Sequence, residues 1–328
     1  QGGAANVAGS LTVDNFDVSA VVPMLAGPSA TVSSVDGLWP DGPFDIGVKL
    51  RTITGRIDVA APVLSQNGAP FLTDAHFAFD WDAQSTRLRG LEGSIGGGKL
   101  TLDAQVCCAG PLAGKRLNGR IAVTDVALDA LVGRPVANAL DGKITASAQF
   151  DGTGDSLAQA VRAMTGNGSY TVKDFAAEHF DPNVFTGVGE LQNVVDMEPG
   201  VLEASVTERL NAGPFKSPEF TGSFTVAGGA LRSPNLAIEN ETAKLFGGLS
   251  LDLLTLLLDG RYSMTPSVMI DPASAVDPTT AEIDAVISGP LWSPLALIDS
   301  SSLIDGIKIK ASEIELARLE ELRAADEE

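Results

Sequence analysis

Five times in this chain a glycine leads a polar residue, a large apolar residue, a small or polar residue and a valine. The copies are Gly9-Ser10-Leu11-Thr12-Val13, Gly55-Arg56-Ile57-Asp58-Val59, Gly119-Arg120-Ile121-Ala122-Val123, Gly168-Ser169-Tyr170-Thr171-Val172 and Gly222-Ser223-Phe224-Thr225-Val226. A period of two puts the large apolar residue and the valine on one face of a strand. The glycine suits a turn or bend as the chain enters that strand. Whatever this chain folds into must accommodate repeated entry into half-buried strands.

Composition agrees. A chain of 328 residues is long for one compact core. With 35 glycines and only 5% aromatic residues, it fits short strands separated by turns better than a helical bundle. The net charge of −20 supplies no basic patch for nucleic acid and disfavours direct docking on an anionic membrane surface. No run of 18 apolar residues is present, so no transmembrane helix is expected within this segment. The chain begins at Gln1 with no signal peptide, so any targeting or anchoring segment is expected upstream.

Strands are expected at 45–53, 55–63, 71–82, 85–91 and 98–108, then up to Val123 and over Lys143–Phe150. Asp125 reads as the cap of a short turn, Val126–Leu131. A helix is expected after Asp155-Ser156, with Leu157, Val161 and Met164 on one face, and residues 176–212 read as mostly helical. Strands resume near 220–226, 230–232, 235–239, 242–253 and 256–264, and a last one at Ala281–Ser288. Gly289–Pro294 is a stiff turn before a polar tail. Ser312 with Glu315 makes a capping-box pattern that opens a terminal helix. The divisions that follow are a β-repeat region at 1–117, a second β region at 118–300 with helices near 155–165 and 181–211, and a tail at 301–328.

No catalytic constellation assembles. His76 and His179 are the only histidines, and neither has a second ligand at metal spacing. There is no nucleophile elbow and no phosphate loop. Asp271-Pro272 and Asp277-Pro278 read as turn chemistry rather than a calcium loop. The adjacent Cys107 and Cys108 read as two buried small hydrophobes, because neighbours on a strand point to opposite faces. No metal, cofactor or catalytic residue is therefore expected, and the chain is read as a non-enzyme.

Apolar residues do accumulate on one face of successive strands: Leu11 and Val13, Ile121 and Val123, Phe224 and Val226, Leu236 and Ile238, then Leu249, Leu251 and Leu253. Two architectures suit them. One is a β-sandwich core, serving a structural or adhesive protein that binds a protein partner or glycan. The other is an elongated, curled antiparallel sheet, an open groove or flattened β-roll with a few short helices and a C-terminal helix. Its inner face would hold acyl chains at about 0.8 kcal/mol per buried methylene.

The order of motifs favours the second. Ile121–Leu131, Leu140-Asp141-Gly142-Lys143, Gly154–Leu157, Gly166-Asn167-Gly168, Phe220–Leu231, Leu236–Asn240 and Ile287–Pro294 resemble, in sequence order, the C-terminal region of the AsmA-like family of bacterial envelope proteins. The resemblance implies a periplasmic protein held at the inner membrane by a segment preceding the sequence. It also implies kinship with bridge-like lipid transfer proteins, with phospholipid or another acyl lipid as partner. About 18 strands at ~4.8 Å per step would carry one sheet roughly 85 Å.

Overall fold

A computed structural model describes residues 5–31, 39–44, 53–66, 69–107, 115–132, 139–191, 193–267, 270–271 and 274–326. The protein is mainly β, built on a single curled sheet that does not close. Its strands are β1 (Ala5–Thr12), β2 (Asn15–Asp17), β3 (Ile53–Gln66), β4 (Ala69–Trp81), β5 (Ser85–Ile95), β6 (Gly98–Cys107), β7 (Lys115–Ala127), β8 (Leu140–Gly154), β9 (Thr165–Ala177), β10 (Phe215–Ala227), β11 (Ala230–Glu239), β12 (Ala243–Asp252), β13 (Leu257–Pro266), β14 (Ile283–Pro290) and β15 (Leu295–Asp299). From β3 onward each strand pairs antiparallel with the next, so the order in the sheet follows the order in the chain. Only β1 and β2 break this rule by pairing parallel to β3, which makes the sheet mixed rather than antiparallel throughout. The sheet therefore has 15 strands among the described residues, where about 18 were expected. Most of the expected strand at 45–53 lies outside them.

The division expected at 117/118 falls inside β7, which pairs continuously with β6 and β8 on both sides of it. Among the described residues five α-helices decorate the sheet: α1 (Val21–Ala26), α2 (Leu157–Arg162), α3 (Val184–Gly189), α4 (Pro199–Leu210) and α5 (Ser301–Asp326). Ser156 caps α2 by accepting from the Gln159 amide. The helical region begins later than expected, because β9 runs to Ala177. The tail is not merely polar, since Leu295–Asp299 adds β15 to the edge of the sheet. Helix α5 starts eleven residues before Ser312, by their numbers. Ser312 is thus inside the helix, where its hydroxyl donates to the Lys308 carbonyl one turn back. The capping role at the helix start falls to Asp299, which accepts from the Ser301 amide.

Three aspartates break the strand alternation. Asp74, Asp125 and Asp174 sit at φ 53°, 52° and 53° in β4, β7 and β9. Aspartate tolerates this left-handed conformation better than most residues. At each one the inward face changes parity: Leu72 then Ala75, Val123 then Val126, Val172 then Phe175. Asp125 is therefore a parity break within β7 rather than a helix cap, and the short 3₁₀ turn follows only at Leu128–Ala130.

Two cores fill the curl. The first lies under β3–β7, where the segment following β1 folds back across the inner face. Leu25, Ala26 and Ala30 pack on Leu64, Leu72, Phe77, Phe79, Leu88 and Val106, with Val13 and Phe16 at the margin. The rings of Phe16 and Phe77 meet edge to face at 5.5 Å. The Thr86 hydroxyl donates to the Leu25 carbonyl and pins α1 in place. The second core lies at one end of β10–β14. Phe185 and Val188 of α3, Leu202 and Val206 of α4, and Leu303 and Ile307 of α5 cover Phe215, Ile238, Leu245, Met264 and Ile283.

Candidate functional site

The outer face is a polar surface. Arg56 pairs with Asp58 at 2.8 Å, Arg89 with Asp80 at 2.7 Å and Arg116 with Asp151 at 2.6 Å. The histidines do not converge. His76 is on this face, 3.7 Å from Glu92, and His179 follows β9 in an exposed turn. A hollow of about 650 Å³ lined by Thr101, Asp103, Arg120, Gln149, Asn167 and Ser169 also opens here, too polar and open to hold a small substrate away from water. No group of three or more metal-ligating side chains forms among the described residues. Asp277 does serve a turn, accepting from the amide and hydroxyl of Thr279, which together hold its carboxyl below the usual range. Cys107 corrects the reading of two free buried thiols, because it is half-buried and disulfide-bonded. Cys108 lies outside the described residues.

Nine of the eleven expected groove residues gather on the inner face, and these nine divide into three groups. Ile121 and Val123 flank the first core, as does Val13 just beyond β1. Ile238 is sealed in the second core, with Leu236 at its edge. Phe224, Val226, Leu249 and Leu251 belong to neither. Cross-strand register carries the rows Val226–Leu231–Leu251–Leu258 and Leu249–Gly260–Ile287 over β10–β14. Apart from the buried Val226 and Gly260, these residues are half-exposed, and no helix of the described chain covers them. They form an open apolar floor above the helix-covered base. Leu11 is on the exposed edge strand β1. Leu253 falls in the turn after β12, where its carbonyl accepts from the Trp39 indole at 2.5 Å.

The glycines of the repeated pentads have an unexpected role. Gly55, Gly119, Gly168 and Gly222 lie within strands rather than at their entry, without positive φ. Each faces an aromatic residue directly across the ladder: Trp81, Phe150, Phe224 and Tyr170. A Cβ on any of them would collide with that ring. The glycines make room for cross-strand rings to lie over them on the inner face. Gly9, on the edge, has nothing within 4 Å of such a Cβ.

Sequence reading missed Leu231, Leu258, Ile287, Tyr170 and Tyr262 as floor residues. Leu258 was hidden in the Leu249–Leu258 run, whose apolar parity is blurred by the turn at Leu253–Leu256, where Leu256 takes φ 53°. No helix among the described residues is long and apolar enough to cross a membrane. Family models, curated proteins and solved structures all return no match to this chain. The likeness to AsmA-like proteins rests on motif order alone.

Proposed function

We propose that this chain is a non-enzymatic lipid-binding module, of the lipid-transfer or outer-membrane-biogenesis kind, that lays acyl chains along the open floor. One observation carries the reading: Phe224, Leu231, Leu249, Leu251, Leu258 and Ile287 form a contiguous, half-exposed apolar surface on the inside of an unclosed sheet. A soluble chain rarely leaves such a surface bare. An acyl chain covering it gains about 0.8 kcal/mol per methylene removed from water. The ion pairs of the outer face keep the sheet itself in solution. The motif order adds the setting, a periplasmic protein anchored to the inner membrane by a preceding segment. The single sheet formed by the described strands supports this reading over a sandwich of two packed sheets.

The test combines native mass spectrometry of gently purified protein with photoreactive residues at Phe224 and Leu251. Co-purifying lipid and lipid adducts at both sites are expected. The same probe at Phe246, exposed on the outer face, should yield none. A lipid-free protein with no adduct at either floor position overturns the proposal.

A further inference from the structure

The chain has two tyrosines, and Tyr262 packs against the edge of the second core, where the open floor meets the helix-covered base. Tyr170 reaches from β9 across Gly222 of β10, and its hydroxyl lies 3.0 Å from Ser233 Oγ on β11. Tyr262 comes from the other side, its ring lying over Gly247 of β12 and beside Gly260. Gly247 pairs with Leu236 on the far side of the bulge between Ser233 and Leu236, so register sets the two rings on either side of that bulge.

The proton order follows from the hydrogen bonds. Ser233 Oγ donates to the Ser223 carbonyl at 3.0 Å, so its single proton is committed. Tyr170 must then donate to Ser233, and its own oxygen retains acceptor capacity. The Tyr262 hydroxyl has no hydrogen-bond partner among the described residues. Burial and the nearby Tyr170 push this phenol up to about 12, so it is a neutral donor at any physiological pH. The inward positions of β9–β13 around it are Gly168, Val172, Phe220, Phe224, Leu236, Gly247, Leu249 and Gly260, none of them charged. A bound carboxylate or phosphate would find no countercharge there. A neutral carbonyl would find one donor on an otherwise apolar floor.

We infer that the Tyr262 hydroxyl, across the β11 bulge from Tyr170 and Ser233 where the floor meets the base, donates a hydrogen bond to the ester carbonyl of an acyl chain on the floor. The inference rests on the lipid-binding reading above and adds to it a preference for ester-linked over ether-linked chains. The floor supplies affinity through area, and the tyrosine fixes where along the floor the glycerol end of the lipid stops.

The experiment uses the full chain and two glycerophosphocholines with identical chains, one a diester and one a diether, offered together in mixed vesicles. Bound lipid is counted by native mass spectrometry. Wild-type protein should take the ester over the ether by roughly fivefold, the value of one net hydrogen bond. Tyr262→Phe should bind both equally, at the wild-type level for the ether. That substitution removes one oxygen and leaves the ring over Gly247, and circular dichroism checks that the fold is retained. Equal uptake by wild-type, or a preference that survives in Tyr262→Phe, overturns the ester contact and leaves lipid binding standing. Uptake of neither lipid overturns both.

Discussion

Five strands, β10 to β14, each have two ends, and the ends meet different fates. At the base, Phe215, Ile238, Leu245, Met264 and Ile283 are at most 7% exposed under α3, α4 and α5. Further along the same strands, Phe224, Leu231, Leu249, Leu258 and Ile287 point inward and stay half-exposed. The residue types and the alternation are alike at both ends. What differs is the connection. The links β9–β10 and β13–β14 and the segment after β15 all leave from the base and return helices or packed loop across it. The opposite end turns tightly at Gly228-Gly229 and at Leu253–Leu256. Burial is decided by where the chain has spare length, and the strand pattern alone specifies only which face is inward.

The sharpest way to break this comparison is to remove one aromatic ring from each end. Phe185→Ala, on α3 in the sealed base, leaves a cavity among Val188, Leu202 and their neighbours. It should cost about 3–5 kcal/mol in denaturant unfolding. Phe224→Ala, on the open floor, should cost about 1 kcal/mol, because water already wets part of the ring. It should nevertheless weaken lipid adducts from a photoreactive residue at Leu251. Equal destabilisation by the two would mean that the floor is a closed core.

The second test concerns the glycines beneath the rings. Gly222→Ala puts a methyl where the Tyr170 ring lies, displacing the ring and its bond to Ser233. A loss of about 1–3 kcal/mol is expected, as for other overpacked sites. In a Tyr170→Ala background the three nearest atoms that the methyl would meet are gone, and most of that loss should vanish. The double-mutant cycle therefore separates a steric role for glycine from a conformational one. If Gly222→Ala costs the same in both backgrounds, the glycine serves the bend of the backbone and not the ring.

That cycle bears on what could be read from residues. The curled sheet was legible because period-two alternation survives in nearly every strand; of the expected stripe, Leu249 and Leu251 share the inward face of β12, while Leu253 falls in the turn beyond it. The glycines were equally visible, but their reason was not. A glycine at a strand entry and a glycine beneath a cross-strand ring look the same until Tyr170 is known to stand opposite Gly222. Ile238 and Leu249 were likewise indistinguishable as groove candidates. Only the fold shows that α3 to α5 close over one and stop short of the other. The tyrosine pair was illegible for a different reason: Tyr170 and Tyr262 are 92 residues apart by number, and register alone joins them.

The smallest expected effect lies in the half of the sheet whose inner face is covered by its own N-terminal segment. Asp82 turns the chain between β4 and β5. Partial burial pushes its carboxyl up, but bonds from the Gln84 and Ser85 amides and from the Arg87 guanidinium outweigh this and hold it below the usual range. A depressed carboxyl contributes stability that is fully present above its unfolded value of 3.8 and is lost as pH falls through the lower folded value. Asp82→Asn should therefore lower the unfolding midpoint slightly at pH 7, by less than about 1 kcal/mol for so exposed a group. The gap from wild type should shrink below pH 4, as the wild-type carboxyl itself takes up a proton. Lipid uptake should not change, because this turn neither lines the open floor nor supports the helices at its base. A change in uptake would show that the covered half and the open half are coupled through the sheet, and the two could then no longer be treated as separately built.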